Sequence, residues 1–141
     1  MSTIVKIELE EGASMPTYGT RGSAGMDLYA VQSGVVPARQ NSGLIETGVK
    51  IAPPKGYYSE IKSRSGMALK GITVIGGICD NDYRGTIKVI LMNNTDADYM
   101  YARGDRIAQL LILPYAHAVL VRDTVMSETD RGSGGFGSTG N

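Results

Sequence analysis

The segment Gly76-Gly77-Ile78-Cys79-Asp80-Asn81-Asp82-Tyr83-Arg84-Gly85 places two carboxylates, a phenol and a guanidinium between apolar runs at residues 72–75 and 86–92. Short β-branched runs of this kind are typical of strands, and Asp-Asn-Asp is common turn chemistry. The pattern therefore predicts a β-hairpin with the polar segment at its tip. Turn chemistry alone does not explain why such reactive side chains are gathered there.

The rest of the chain shows the same pattern of short apolar runs separated by turn residues. Further strands are predicted at residues 3–9, 43–52, 57–62, 98–101, 107–113 and 117–121. Pro53 and Pro54 exclude a central strand at their position. One short helical turn is predicted at residues 65–70, with Ser65 as its cap and Gly71 at its end.

Length and composition indicate a single all-β domain. The 141 residues are enough to bury a core without metal or disulfide support. Equal numbers of basic and acidic side chains, 14 each, argue against binding of nucleic acid or an anionic membrane through bulk charge. The single cysteine, Cys79, excludes an internal disulfide. Because no apolar stretch suits a signal peptide or a spanning helix, we expect a soluble intracellular protein, cytoplasmic or nuclear.

The C-terminal segment Arg131-Gly132-Ser133-Gly134-Gly135-Phe136-Gly137-Ser138-Thr139-Gly140 holds the only Phe of the chain. A free aromatic ring can stack on a base, while a guanidinium, hydroxyls and glycine amides suit phosphate oxygens. The segment taken alone also fits a disordered, soluble tail. Its composition leaves both interpretations open.

Three more polar segments lie at predicted strand ends and loop edges: Gly25-Met26-Asp27-Leu28-Tyr29-Ala30, Ser63-Arg64-Ser65-Gly66 and Gly104-Asp105-Arg106-Ile107-Ala108-Gln109-Leu110. With the hairpin segment and the tail, they resemble in order the five motifs of the trimeric deoxyuridine triphosphatase (dUTPase) family. Each motif alone is a weak signal, but five in the right order with compatible spacing are a strong one. The resemblance covers residues 24–140, nearly the whole chain.

The resemblance implies a single-domain, jelly-roll-like or distorted β-barrel with one short helix. It further implies a core at residues 1–126, a flexible C-terminal arm at residues 127–141, and a homotrimer whose active sites are shared between subunits. The implied activity is Mg²⁺-assisted hydrolysis of dUTP to dUMP and pyrophosphate, by in-line attack of water on the α-phosphorus. Such an enzyme keeps uracil out of DNA and supplies dUMP for thymidylate synthesis.

The resemblance also implies roles for individual residues. Asp80 matches the aspartate that activates water, and Tyr83 matches the ring beneath the deoxyribose, where a ribose hydroxyl would not fit. Asp27 matches the carboxylate that holds Mg²⁺ indirectly, through a metal-bound water. The remaining implied contacts are to phosphate by Arg64, Ser65, Gly66 and Gln109, to uracil through the backbone of Val74, Gly77, Ile78 and Cys79, to substrate by Lys88, and from the arm by Arg131, Phe136, Gly137, Ser138 and Thr139.

The extended reach of the arm suits a shared site. At about 3.3 to 3.6 Å per residue, the stretch from residue 123 to residue 136 spans on the order of 40 Å, enough to cross a small neighbouring subunit. Phe136 is therefore expected to close a neighbour's site.

Each of these residues also has a structural interpretation. Arg64 and Asp82 could form one structural ion pair, Tyr83 could be a core aromatic, and Gln109 could be the polar position of a strand. His117, the lone histidine, is expected to be structural because no metal ligand or nucleophile is spaced around it. Three positions depart from the family pattern: Ser63, Cys79 and Thr86.

Three rival functions stay open. A dCTP deaminase has a related fold but attacks the base, whereas the five motifs favour phosphate chemistry. A regulator built on the same body could coexist with catalysis. A purely structural all-β protein would not need Asp80, Tyr83 or the arm.

Overall fold

Short strands dominate the structure, a computed structural model that describes residues 2–140. The strands are β1 (Lys6–Leu9), β2 (Thr17–Tyr18), β3 (Met26–Tyr29), β4 (Gly34–Val36), β5 (Ile45–Glu46), β6 (Val49–Ala52), β7 (Tyr57–Lys62), β8 (Ile72–Val74), β9 (Ile78–Cys79), β10 (Lys88–Val89), β11 (Leu91–Asn93), β12 (Tyr99–Tyr101) and β13 (Arg106–Pro114). The one helix in this part of the chain, α1, spans Ser65–Leu69. None of the helices described is long and apolar enough to cross a membrane.

The strands form one five-stranded sheet and four two-stranded ladders. The large sheet has the order β2-β3-β13-β7-β9, and the small ones pair β1 with β6, β5 with β10, β8 with β11 and β4 with β12. Every pairing is antiparallel. Within residues 2–140 the sheets do not close into a barrel, so the fold is all-β with one short helix but is an open arrangement of ladders.

The core lies between these sheets and consists of aliphatic side chains. Leu28 and Val36 come from β3 and β4, Val89 and Leu91 from β10 and β11, and Ile107, Ala108 and Leu110 from β13. All seven are at most 1% exposed. Burying each large side chain stabilises the fold by about 1.5 to 3 kcal/mol. β13 contributes three of the seven side chains and is also the central strand of the large sheet, so it fixes the positions of β3 and β7 on its two sides.

Most predicted strands are confirmed. The run at 57–62 matches β7, and Pro53 and Pro54 lie outside any strand. The run at 43–52 is divided into β5 and β6 at Gly48, whose φ of 68° breaks the extended backbone.

One predicted strand is wrong: residues 117–121 form no strand. Val119, Leu120 and Val121 are 88%, 92% and 84% exposed. Their β-branched and apolar character favours a strand, but no strand within residues 2–140 pairs with them. These residues therefore have the propensity for a strand but no strand to pair with within residues 2–140.

The helix prediction holds except at its cap. The helix begins at Ser65, but Arg64 occupies the N-cap position and no side chain caps the first turn. Gly71 follows the helix with a φ of 86° and its amide donates to Ala68 O at 3.0 Å, as expected for a glycine that ends a helix.

Candidate active site

The hairpin predicted from residues 72–92 is present, and its tip contains an extra strand. β8 and β11 pair through Leu91 and Val74, and the Ile75 amide donates to Ile90 O at 3.0 Å. Beyond that point β9 leaves the hairpin and pairs with β7, with Cys79 opposite Ser59. The tip is thus attached to the edge of the five-stranded sheet.

Gly77 makes the attachment to β7 possible. Its carbonyl accepts a hydrogen bond of 2.7 Å from the Ile61 amide. Its φ is 102°, and a Cβ at this position would overlap the Ile61 carbonyl oxygen. Only glycine satisfies both conditions, so the backbone of Ile78 and Cys79 is positioned by the lack of a side chain at residue 77.

Asp80 follows directly after β9 and is exposed. Its carboxylate forms no hydrogen bond or ion pair with any side chain or backbone group of residues 2–140. It faces an open cleft lined by Lys55, Gly56, Tyr58, Ile78, Asp80, Asn81, Asp82, Tyr115 and His117. The backbone of Asp80 is held by a bond from the Tyr83 amide, and a carboxylate without a partner in residues 2–140 keeps its lone pairs for water, as a general base requires.

Tyr83 is held at the tip of the hairpin and is not a core residue. Its amide donates to Asp80 O at 3.1 Å, and its hydroxyl donates to Thr86 O at 2.8 Å. The side chain is 42% exposed. The ring is therefore oriented at its hydroxyl end and exposed along its length, which leaves it available to a ligand.

Asp27, Arg64 and Gln109 meet on the five-stranded sheet. Gln109 on β13 lies opposite Asp27 of β3 on one side and opposite Lys62 of β7 on the other. Arg64 follows β7, and its Nε donates to Asp27 Oδ1 at 3.1 Å. The Arg64–Asp82 pair considered from the sequence is therefore wrong: the partner of Arg64 is Asp27.

A second guanidinium gives this group a positive balance. Arg106 Nη1 lies 3.7 Å from Asp27 Oδ2, and Arg64 Nη1 donates to Arg106 O at 3.2 Å. Two guanidinium groups beside one carboxylate leave one positive charge uncompensated. This excess suits a phosphate, which guanidinium groups bind through paired hydrogen bonds.

Gln109 orders the segment that carries Arg64. Its Nε2 donates to Ser63 O at 2.8 Å, and the Ser63 hydroxyl accepts a hydrogen bond of 2.8 Å from the Val74 amide. Gly25 packs against the Gln109 amide so closely that a Cβ there would overlap it. Gln109 is the polar position of a strand, as its neighbours in sequence suggest, and it also links β13 to the Arg64 segment.

The other residues implied in phosphate and substrate contacts, Ser65, Gly66 and Lys88, do not form one cluster. Ser65 and Gly66 are exposed at the start of α1, where backbone amides have no partner within the helix. Lys88 lies elsewhere, with its Nζ 2.9 Å from Thr86 Oγ1 and 3.5 Å from Glu46 Oε2. The ammonium of Lys88 is thus occupied by contacts within the fold, and its role toward substrate stays a prediction.

Asp27 fits indirect binding of a metal ion. Its Oδ1 accepts from Arg64, whereas Oδ2 lies 3.7 Å from Arg106, too far for a hydrogen bond, and can accept from a water. No group of three or more His, Cys, Asp or Glu side chains in residues 2–140 could hold a metal directly. These residues fit a Mg²⁺ ion that arrives on phosphate oxygens and keeps its waters.

The two groups of candidate residues lie at opposite ends of β7. Asp80 follows Cys79, which pairs with Ser59, whereas Arg64 follows the other end of the strand at Lys62. In the antiparallel pair Asp80 lies level with Tyr58, six residues before Arg64, so at about 3.3 Å per residue the two are separated by on the order of 20 Å. One chain does not bring them together.

The arm residues are exposed turns. Arg131 Nε donates to Gly134 O at 2.9 Å, and the Gly135 amide donates to Ser138 Oγ at 2.8 Å. Phe136 has a φ of 51° and a fully exposed ring. Such an aromatic, without a core to enter, has its whole face available for stacking.

Sequence reasoning missed three residues of the site. Asn81 and Arg84 bond the hairpin tip to its surroundings, and Arg106 adjoins Asp27. Arg106 lies within a recognised motif, where a second cation beside Asp27 could have been suspected. His117, expected to be structural, is exposed on the cleft beside Asp80.

Burial affects the thiol at the site. It raises the pKa of Cys79, and the charge of Asp80 raises it further. The Cys79 thiol is consequently neutral at pH 7 and behaves as a small apolar side chain beneath the hairpin.

Comparison with known proteins identifies the family of this chain. The family model described as dUTPase matches residues 11–140. The deoxyuridine 5'-triphosphate nucleotidohydrolase of Hydrogenobaculum sp. (strain Y04AAS1) is 45% identical over 143 residues, covering 99% of each chain. That of Paramecium bursaria Chlorella virus 1 is 43% identical over 141 residues, again with 99% of each chain covered.

Solved structures agree as well. The Staphylococcus bacteriophage 80alpha dUTPase with dUPNHPP superimposes with a TM-score of 0.90 at 25% sequence identity, covering 99% of this chain and 100% of its own. On sequence and on structure, this chain belongs to the dUTPase family.

Proposed function

We propose that the protein hydrolyses dUTP to dUMP and pyrophosphate. The observation that carries the proposal is the Asp80 carboxylate, which projects from a hydrogen-bonded turn at the tip of a hairpin, lines an open cleft and has no partner within residues 2–140. The relatives named above are nucleotidohydrolases of deoxyuridine 5'-triphosphate. Membership of the same family over the whole chain supports the same substrate.

Asp80 is proposed to accept a hydrogen bond from water and to hold that water in line with the α-phosphorus. Tyr83, oriented through Thr86 O, is proposed to pack beneath the deoxyribose and to exclude a ribose hydroxyl. The backbone of Val74, Gly77, Ile78 and Cys79 is proposed to read uracil, since β8 holds Val74 in the hairpin while Gly77 and β9 are attached to β7 at the edge of the five-stranded sheet. A slot of this kind rejects a base by shape and by the order of its donors and acceptors.

Arg64, Ser65, Gly66 and Gln109 are proposed to bind phosphate oxygens. The positive balance of Arg64 and Arg106 over Asp27 supports this assignment. Mg²⁺, when bound, would neutralise charge on the triphosphate and would be held through water by Asp27. An incoming phosphate would compete with Asp27 for the Arg64 guanidinium.

A homotrimer with shared sites is proposed for two reasons. Asp80 and Arg64 lie at opposite ends of β7, so a complete site needs Arg64 from another copy of the chain. The exposed apolar residues Val119, Leu120 and Val121 also pair with no strand within residues 2–140. Soluble proteins seldom leave a contiguous apolar run uncovered.

The arm, residues 127–141, is proposed to close over bound nucleotide. Phe136 would stack on uracil, Arg131 would pair with the γ-phosphate, and Gly137, Ser138 and Thr139 would surround the remaining phosphate oxygens. Closure would exclude bulk water, so that only the water held by Asp80 reacts. The exposure of Phe136 supports a role outside the core.

The test is pyrophosphate release from dUTP, UTP, dTTP and dCTP, with and without Mg²⁺. We expect turnover of dUTP alone, and near-complete loss in Asp80→Asn. Asp96→Asn, which removes a carboxylate of an exposed ion pair with Arg39, is the matched control and should retain activity. Ammonia release from dCTP, or equal turnover of all four nucleotides, would overturn the proposal.

A further inference from the structure

We infer that Asn81 is a positioning residue: its side-chain amide fixes the backbone of Asp80 and thereby the direction in which the Asp80 carboxylate points. The inference rests on the proposed function, since it gives Asn81 an effect only through the water held by Asp80. No role for Asn81 follows from the motifs recognised in the sequence. The evidence lies in the contacts on the two sides of Asp80.

The Asn81 amide binds three backbone carbonyls at once. Its Nδ2 donates to Tyr57 O at 2.7 Å, to Pro54 O at 3.0 Å and to Pro53 O at 3.2 Å. An amide nitrogen carries two hydrogens, so one of these hydrogens is shared between two of the three carbonyls. The rings of Pro53 and Pro54 restrict the backbone of the loop whose carbonyls accept these hydrogen bonds, so the loop is a stiff support for the Asn81 amide.

These bonds begin where the backbone ladder ends. The pairing of β9 with β7 stops at Cys79 and Ser59, two residues before Asn81. The Asn81 side chain then bonds Tyr57 O, two residues before Ser59 on β7, and so continues the attachment without a backbone bond. Asp80 lies between the last ladder pair and this side-chain bond and is held on both sides.

Arg84 holds the same turn from its outer side. Its Nη1 donates to Asn81 O at 2.7 Å and to Tyr83 O at 3.0 Å, and the Tyr83 amide donates to Asp80 O at 3.1 Å. The turn at Asp80 therefore has its backbone oxygens engaged while the carboxylate is left unpaired. This division is what a fixed base requires, because its geometry is set before substrate arrives.

The base-reading groups do not depend on Asn81. Gly77 bonds Ile61, and Cys79 pairs with Ser59, whether or not residue 81 has an amide. Loss of the amide should thus loosen Asp80 while the uracil slot stays in place. The expected signature is a fall in kcat with little change in KM.

The experiment compares Asn81→Ala and Asn81→Leu with the full-length protein. Displacing a catalytic group by about 1 Å costs on the order of 10²-fold in rate, so we expect kcat to fall by about 10- to 100-fold. KM for dUTP and the affinity for the analogue dUPNHPP should change less than about twofold. Asn94→Ala is the matched control, because the Asn94 amide also binds a backbone carbonyl, Gly71 O at 3.3 Å, but away from Asp80.

A double-mutant cycle with Asp80→Asn distinguishes the positioning role of Asn81 from the proposed role of Asp80 in hydrolysis. If Asn81 acts through Asp80, adding Asn81→Ala to Asp80→Asn leaves the residual single-turnover rate unchanged within about twofold. An undiminished kcat in both Asn81 variants would overturn the inference. So would a loss of single-turnover rate on the Asp80→Asn background as large as the loss on the wild-type background. Failure of both Asn81 variants to fold would overturn it as well. Full activity of Asp80→Asn itself would instead overturn the proposed function.

Discussion

At the residue scale, the carboxylates of this protein are used in two different ways. Asp80 is exposed and has no partner in the described chain, whereas Glu46 is engaged by the fold. Glu46 Oε1 accepts from the Gly48 amide at 2.9 Å and from the Thr47 amide at 3.2 Å. One carboxylate is thus available for chemistry and the other stabilises the loop between β5 and β6.

The engagement of Glu46 predicts a pH dependence of stability. Burial alone would raise the pKa of Glu46, but hydrogen bonds from Gly48 and Thr86 and the charge of Lys88 outweigh it and lower the pKa. The folded-state pKa then lies below the unfolded value of about 4.3. The stabilisation is present above the unfolded pKa and is lost as pH falls through the folded pKa.

Urea unfolding at pH 7 and pH 3, at one fixed protein concentration, measures this effect. The wild type should lose more unfolding free energy between the two pH values than Glu46→Gln does. Glu128→Gln, which replaces an exposed glutamate, should behave as the wild type. Identical pH dependence in wild type and Glu46→Gln would contradict the assignment.

The raised pKa of Cys79 predicts a slow thiol. Because burial holds the group in its neutral form, Ellman's reagent at pH 7.5 should react with native Cys79 at least about tenfold more slowly than with the urea-unfolded chain. Bound dUPNHPP should slow the reaction further if the backbone of Cys79 lies in the uracil slot. Equal rates in the native and unfolded states would show that the thiol is not shielded.

At the element scale, the attachment of β9 to β7 depends on Gly77. In Gly77→Ala the new Cβ meets the Ile61 carbonyl and the backbone must leave a φ of 102°, so we expect a loss of about 1 to 3 kcal/mol in unfolding free energy. dUTP binding should weaken as well. Gly76→Ala, at a φ of 69° with open space around it, is the control and should cost less.

Elements that pair within residues 2–140 were predictable, and a run without a pairing partner there was not. The run at 57–62 forms β7 as expected, because its partners β13 and β9 both lie within residues 2–140. The run at 117–121 also favours a strand but has no partner within residues 2–140, so sequence pattern alone predicted a strand that is not formed. Strands of two residues, such as β2 at Thr17–Tyr18, are too short to produce a detectable pattern.

The sequence predicts the residue types of the candidate site but not their contacts. Five motifs in order pointed to Asp27, Arg64 and Asp80, but the Asp27–Arg64 pair and the Asn81 bonds depend on sheet register, which the sequence does not show. Register decides which side chains are neighbours, because a shift of one residue moves each side chain to the other face. The placement of Asp80 and Arg64 at opposite ends of β7 follows from the same register.

At the scale of the whole molecule, the arm should be separable from the fold. Deleting residues 131–141 removes no residue of the buried core, so unfolding midpoint and assembly state should be unchanged. Activity should fall by at least about tenfold, because closure over the nucleotide is lost. Light scattering and pyrophosphate release on the same sample measure both properties, and full turnover by the truncated protein would show that the arm is not a lid.

The central claim is that dUTP is hydrolysed at sites that combine Asp80 of one chain with Arg64 of another. The most direct measurement is the dUTPase activity of trimers formed by coexpressing Asp80→Asn chains with Arg64→Ala chains, each inactive by itself. Random mixing gives about a quarter of the sites both intact groups, so activity should return to roughly that fraction of the wild type. Mixed trimers no more active than the two parents would contradict the account.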